Sequence, residues 1–246
     1  MLNKRSNPYS FFLGILVVLL MWLTFFYGKI ANDKLYLFGI LPRELSGLKG
    51  VVFAPFIHDL TNYKHIFNNS IPAFLLVYLL NERFPNLFLK VFGLSWLFSG
   101  FLVWLFAENT NAYHIGMSSI IYSLAAYLFT VGVLVKHLPY QAISLFIVFV
   151  YGSLIWGIFP TPQPISWEGH LAGMLTGIGL AFYFKRHIPQ RPKFLYEIEK
   201  EMGIEPPDLE GMYNAQLEDL NKEKDTQDTP NIRINYDYVE KKDKEK

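Results

Sequence analysis

Cysteine is absent from the 246 residues, which removes disulfides, thiolate nucleophiles and thiolate metal sites from consideration. Acidic residues are scarce over most of the chain, with only six of the 21 Asp and Glu preceding Arg186. Charged residues of both signs make up 17% of the sequence, against 52% apolar ones. No basic stripe accompanies the net charge of +1, so nucleic acid is not an expected partner. No His-x-x-x-His or Glu-rich pair offers a divalent metal site, and neither a metal nor a cofactor is expected. Inverted repeats and paired broken hydrophobic segments are also lacking, which argues against a small-molecule transporter or channel.

What is present is a series of long apolar runs. Lys4 and Arg5 precede a run from about Tyr9 to Tyr27, long enough for a ~30 Å hydrocarbon core. It lacks an Ala-x-Ala cleavage site and is read as an anchor and not a removed signal. A mixed loop, Gly28 to Lys64, has the length of a segment with its own structure, placed at the membrane interface. Further spans are predicted over His65–Leu80, Leu87–Ala107, Ile115–Val135, Tyr140–Phe159 and Trp167–Phe184, with the prolines 160, 162 and 164 stiffening the last connection. The expected organisation is a short amino-terminal segment over residues 1–8, a membrane domain over 9–185 and a polar acidic tail over 186–246. Six spans put both termini on one side. Lys and Arg are missing from the short loops of the opposite side, so the positive-inside rule places both termini in the cytoplasm. In the tail, Phe194, Leu195, Ile198 and Met202 have helical spacing. Beyond Pro206 a flexible tail is expected, and residues 232–239 alternate like a strand.

In that topology the second, fourth and sixth spans run in the same direction. His65 and Asn69 open the second, Ser118 the fourth and His170 the sixth, all at a similar shallow depth. Polar side chains are costly within a membrane, tend to face the bundle interior, and mark function. A hydroxyl becomes a useful nucleophile when a base lies within hydrogen-bond reach, and Ser118 with His170 supplies such a pair. Acyl transfer also needs donors for an oxyanion, and His65, Asn69 and the backbone N–H of Ser118 can supply them. Tyr122, one turn below Ser118, is placed to pack on the His170 ring. Gly169, Gly173 and Gly177 give the sixth span a small-residue face, and Ser119, Ser123 and Ala126 give the fourth a matching one.

The residues His65-x-x-x-Asn69, Gly116-Met-Ser118 followed by Tyr122, and His170-x-x-Gly173-x-x-x-Gly177 resemble the three signature motifs of the rhomboid intramembrane serine proteases. The resemblance covers roughly residues 9–185, in order and direction. It implies an all-α polytopic membrane protein, a rhomboid-like bundle of six transmembrane helices in a bacterial cytoplasmic membrane. It implies a catalytic dyad of Ser118 and His170 without an aspartate, and an oxyanion hole of His65, Asn69 and the Ser118 amide. Gly116, Tyr122, Gly173 and Gly177 would support them. The fifth span would be a lateral gate for substrate helices, and residues 160–166 a flexible cap. Two features depart from the family pattern. Ser119 stands where the family usually has glycine, and the first loop lacks the common Trp-Arg pair, of which Arg43 is a partial counterpart.

Each residue also has a bland reading: Ser118 as a packing residue, His170 as an interfacial ring, His65 and Asn69 as polar helix starts. Glu168 reads as a first-turn acid favoured by the helix dipole. His58, His114, His137 and His187 read as loop histidines without chemistry. Joined by depth and direction, the site residues favour hydrolysis of transmembrane protein substrates through an acyl-enzyme. The alternative is a rhomboid-like protein that binds transmembrane helices without efficient cleavage, motivated by Ser119. With histidine as base, activity rises with pH as the ring becomes neutral.

Overall fold

The computed structural model describes residues 7–31, 34–108, 111–135, 137–160, 166–204, 207–226 and 234–237. It divides into two compact units, residues 1–191 and 192–246.

The described part of the first unit is a helical bundle. Its elements are α1 (Pro8–Ala31), the single turn α2 (Lys49–Phe53), α3 (Tyr63–Arg83), α4 (Phe88–Phe106), α5 (Ser118–Val135), α6 (Leu138–Tyr151) and α7 (Trp167–Phe184). Apart from α2, they correspond one to one with the six expected spans. By length and composition α1, α4 and α5 qualify as membrane-crossing helices among the described residues. Helices α3 and α7 carry the polar and small residues of the candidate site, which lowers their apolar content. Helix α6 is shorter than expected. It ends at Gly152, and the chain continues as a tighter 3₁₀ segment, Gly152–Ile158. Fourteen residues at ~1.5 Å each and seven at ~2.0 Å still add up to a length near the ~30 Å core.

Helix α5 is the centre of the bundle, packed by α7 on one side and by α6 on another. Its Ile120, Leu124, Tyr127, Leu128 and Val131 are almost fully buried. Polar ties join α1 to α3 and α4 to α5. Asn81 donates to Ser10, Trp22 Nε1 donates to Ser70 Oγ at 3.0 Å, and Ser123 donates to Ser95 Oγ at 2.8 Å. Where no water reaches a backbone or hydroxyl, each such group needs an internal partner, and these pairs satisfy one another.

The first loop has the internal structure its length suggested. Short 3₁₀ turns at Leu35–Phe38, Leu45–Gly47 and Ala54–Phe56 flank α2. Two indoles of α4 pin it: Trp96 Nε1 donates to the Val51 carbonyl at 2.9 Å, and Trp104 Nε1 to the Glu44 carbonyl at 2.8 Å. Arg43 adopts a left-handed φ of 61°, and its N–H donates to the Trp104 carbonyl. That backbone bond is what the partial counterpart of the Trp-Arg pair contributes here.

The second unit differs from expectation beyond residue 206. Helix α8 (Leu195–Glu201) forms where the spacing placed it, but a second helix, α9 (Leu209–Thr226), replaces the expected flexible chain. Asp208 caps it by accepting the Gly211 N–H at 2.9 Å. Leu209, Met212, Tyr213, Leu217 and Leu220 recur at helical spacing, a signal masked by the surrounding charge. The described part of the 232–239 stretch, Ile234–Asp237, forms no strand.

Candidate active site

The site is built where α3, α5 and α7 begin. Helix α3 starts with Asn62, whose side chain accepts the Lys64 N–H, and it presents His65 and Asn69 one turn apart. Asn69 is buried and donates one amide hydrogen to the His65 carbonyl at 3.1 Å. Both polar ends face the loop before α5. A Cβ placed on Gly116 would lie 2.9 Å from His65 Nε2 and 3.7 Å from Asn69 Nδ2. Gly116 also has φ +108°, a conformation that disfavours any other residue. The position therefore demands glycine twice, by backbone angle and by the close approach of His65.

Ser118 and Ser119 open α5 and are half-buried. They line a narrow pocket of ≈ 20 Å³ with Gly116, His114, Ser166 and Gly169. The loop carrying them is strapped to the first loop by the Gly116 N–H, which donates to the Ala54 carbonyl, and by a two-way antiparallel bridge between His114 and Ile40.

Helix α7 begins at the N-cap Ser166, whose Oγ accepts the Gly169 N–H at 3.2 Å. The expected small-residue seam between α5 and α7 is present. A Cβ on Gly173 would collide with the Ser119 carbonyl, and one on Gly177 with the Ser123 carbonyl. Backbones in contact over two turns fix the register of α7 against α5, and His170 lies in the turn of α7 before Gly173.

His170 is 8% exposed. Its ring stacks on Tyr122, with centroids 4.2 Å apart and planes 5° from parallel. Its Nδ1 lies 2.9 Å from the Gly157 carbonyl oxygen, in the 3₁₀ segment after α6. A carbonyl only accepts, so this bond requires the proton on Nδ1 and leaves Nε2 as the acceptor in the neutral ring. A Cβ on Gly157 would collide with the Tyr122 hydroxyl, so the segment rests directly on this ring pair. Ser118 makes no hydrogen bond with His170 in this conformation among the described residues. Such bonds often tighten only when substrate binds.

Two histidines read as inert in the sequence have definite places. His58 is 2% exposed, its ring edge-on to His65 with centroids 5.0 Å apart. Burial first, and the neighbouring His65 second, push its pKa down to about 3 against the opposing Phe56 carbonyl. His114 contacts the cap of α7, as described below. Neither position had a signal in the spacing, because both contacts join distant segments. Residues 161–165 of the expected cap lie outside the described residues.

These features define a class: an all-α polytopic membrane protein that carries hydroxyl, imidazole and amide side chains in the first turns of three of its helices. The rhomboid domain family matches residues 46–187, and the chain belongs to that family, whose members are generally serine proteases. Individual relatives are similar over most of their length. The uncharacterized proteins Mb1372 of Mycobacterium bovis and Rv1337 of Mycobacterium tuberculosis are each 30% identical over 172 residues, 67% of this chain and 71% of the relative. The uncharacterized protein ML1171 of Mycobacterium leprae is 29% identical over 178 residues, 70% of this chain and 68% of the relative.

Proposed function

We propose that this chain is an intramembrane serine endopeptidase that cleaves membrane proteins within or near their transmembrane segments. The observation that carries the reading is the state of His170: Nδ1 donates to the Gly157 carbonyl, the ring is held against Tyr122, and Nε2 is left as a base. In the proposed cycle Ser118 Oγ attacks the scissile carbonyl carbon while its proton passes to His170 Nε2. His65, Asn69 and the Ser118 N–H donate to the resulting oxyanion. His170 returns the proton to the leaving amine, giving an acyl ester on Ser118. A water then attacks the ester, His170 takes its proton, and collapse releases the carboxylic acid and restores Ser118. No step needs a metal or a cofactor. On this reading the protein sits in a bacterial cytoplasmic membrane, with residues 9–185 as its membrane domain and both termini and the tail cytoplasmic. Substrate helices enter beside α6.

The test is cleavage of a generic single-span substrate by purified wild type, Ser118→Ala and His170→Ala in detergent, with fluorophosphonate labelling alongside. Cleavage and labelling by the wild type, and cleavage by neither variant, is the expected result. Three folded proteins without cleavage would overturn it and favour helix binding without hydrolysis. Restoring glycine at Ser119 then shows whether that side chain is responsible.

A further inference from the structure

Ser118 and His170 each lie four residues beyond a polar side chain, His114 and Ser166 respectively. Those two side chains meet. His114 Nδ1 lies 2.6 Å from Ser166 Oγ across 52 positions of sequence. The contact joins the loop that delivers the hydroxyl to the cap of the helix that delivers the imidazole.

The rest of the framework gives this contact its weight. The seam of α5 and α7 fixes their relative position at Ser119 and Gly173 and below. Above that level α5 has ended, and Gly116 in its left-handed conformation is the swivel on which the loop turns. One side of the loop is held by backbone bonds from His114 and Gly116 to Ile40 and Ala54. Those bonds tie it to the first loop and leave its distance from α7 to the side chains. The hydroxyl of Ser166 already accepts from the Gly169 N–H, so its remaining hydrogen and lone pair face His114. Either neutral tautomer of His114 completes the bond, and the doubly protonated ring still donates through Nδ1, so the contact survives titration.

We propose that His114 is a positioning residue for the hydrolytic reaction: through Ser166 it holds the Ser118 loop against the first turn of α7. The proposal rests on the protease reading above. A bond of this kind contributes about 0.5–1.5 kcal/mol net, so its loss costs on the order of twofold to tenfold if it acts only on the reactive alignment. The backbone bridge to Ile40 does not involve the ring, so substitution at His114 leaves that bridge in place, and the double variant with Ser166 isolates the side-chain contact.

The experiment measures kcat and KM for a single-span substrate and the rate of fluorophosphonate labelling of Ser118. The proteins are wild type, His114→Phe, His114→Asn, Ser166→Ala and the His114→Phe/Ser166→Ala double variant, with melting temperature recorded for each. Phe keeps the ring and removes Nδ1, whereas Asn returns a polar atom near its place. His114→Phe is expected to lower kcat and the labelling rate roughly twofold to tenfold with KM within about twofold. Asn should recover most of the loss, and His114→Phe should cost nothing further in the Ser166→Ala background. Equal losses in Phe and Asn, additive losses in the double variant, or a loss confined to melting temperature overturns the proposal while leaving the protease reading intact. A folded wild type that neither cleaves nor labels removes the protease reading, and this proposal with it.

Discussion

The two sides of α5 are packed by different means. Toward α7, two successive glycines set backbone against backbone, and the facing residues Gly173 and Gly177 leave no room for a methyl group. Toward α6, one glycine does this, near the start of that helix, where a Cβ on Gly132 would collide with Ser144 Oγ and the Tyr140 carbonyl. Farther along, α6 turns outward-facing residues to its surroundings, with Phe149 88% exposed and Leu145 70%. The helix then gives way to the 3₁₀ segment that touches His170. The candidate site residues Ser118 and His170 therefore sit on the two helices that meet through glycines, whereas α6 packs along its length through the side chains of Tyr140, Ile143, Ile147 and Tyr151. Precise alignment and access for a bulky substrate are opposite demands, which the proposed reaction would meet at different seams.

Substitutions can break this contrast. The largest effect is expected from Gly173→Val. With a carbonyl as the obstacle and no flexible side chain to yield, the loss should be ~3 kcal/mol or more, seen as a collapse of the melting temperature in detergent. An unchanged melting temperature would disprove the tight seam. Gly132→Ala should cost about 1–3 kcal/mol, less than Gly173→Val, because it adds one methyl group where valine adds three carbons, although the Tyr140 carbonyl stands in its way too. A larger loss at Gly132 than at Gly173 would invert the comparison.

The buried ring of His58, in the first loop beside α3, predicts a pH effect on stability. Its folded pKa of about 3 lies below the ordinary value of 6.5. Between those values the unfolded chain binds the proton and the folded one does not, so stability falls as pH drops from 6.5 toward 3. The slope contributed is at most about 1.4 kcal/mol per pH unit, and His58→Phe should flatten it in melting curves across that range. The smallest effect belongs to Phe149→Ala on the exposed face of α6. Stability should stay within about 0.5 kcal/mol, and a drop comparable to Gly132→Ala would mean that this face is packed after all.

The apolar runs made the bundle legible, since each must bury its backbone bonds within a helix to cross a membrane. The seam was also readable, because Gly169, Gly173 and Gly177 follow one stripe of α7. So was the stacking of Tyr122 on His170, one turn below Ser118. What escaped was set by contacts between segments far apart in sequence. The 2.6 Å contact of His114 with Ser166 spans three elements, and the burial of His58 depends on how the first loop folds back on α3. The end of α6 at Gly152 escaped for a different reason: composition alone does not separate an α-helix from a 3₁₀ continuation. In the tail, the charge around α9 concealed its apolar stripe.

The partner of His170 has one more consequence. A carboxylate in that place would bring a full negative charge into a low-dielectric interior, at a cost of several kcal/mol before any compensation. The Gly157 carbonyl orients the ring with a neutral dipole instead and leaves the resting site uncharged at this pair. That carbonyl belongs to the 3₁₀ segment after α6, so the orientation of the ring depends on how this segment packs on Tyr122 and His170. One main-chain carbonyl thus sets both which ring nitrogen carries the proton and where the 3₁₀ segment rests, a joint made without any charged group.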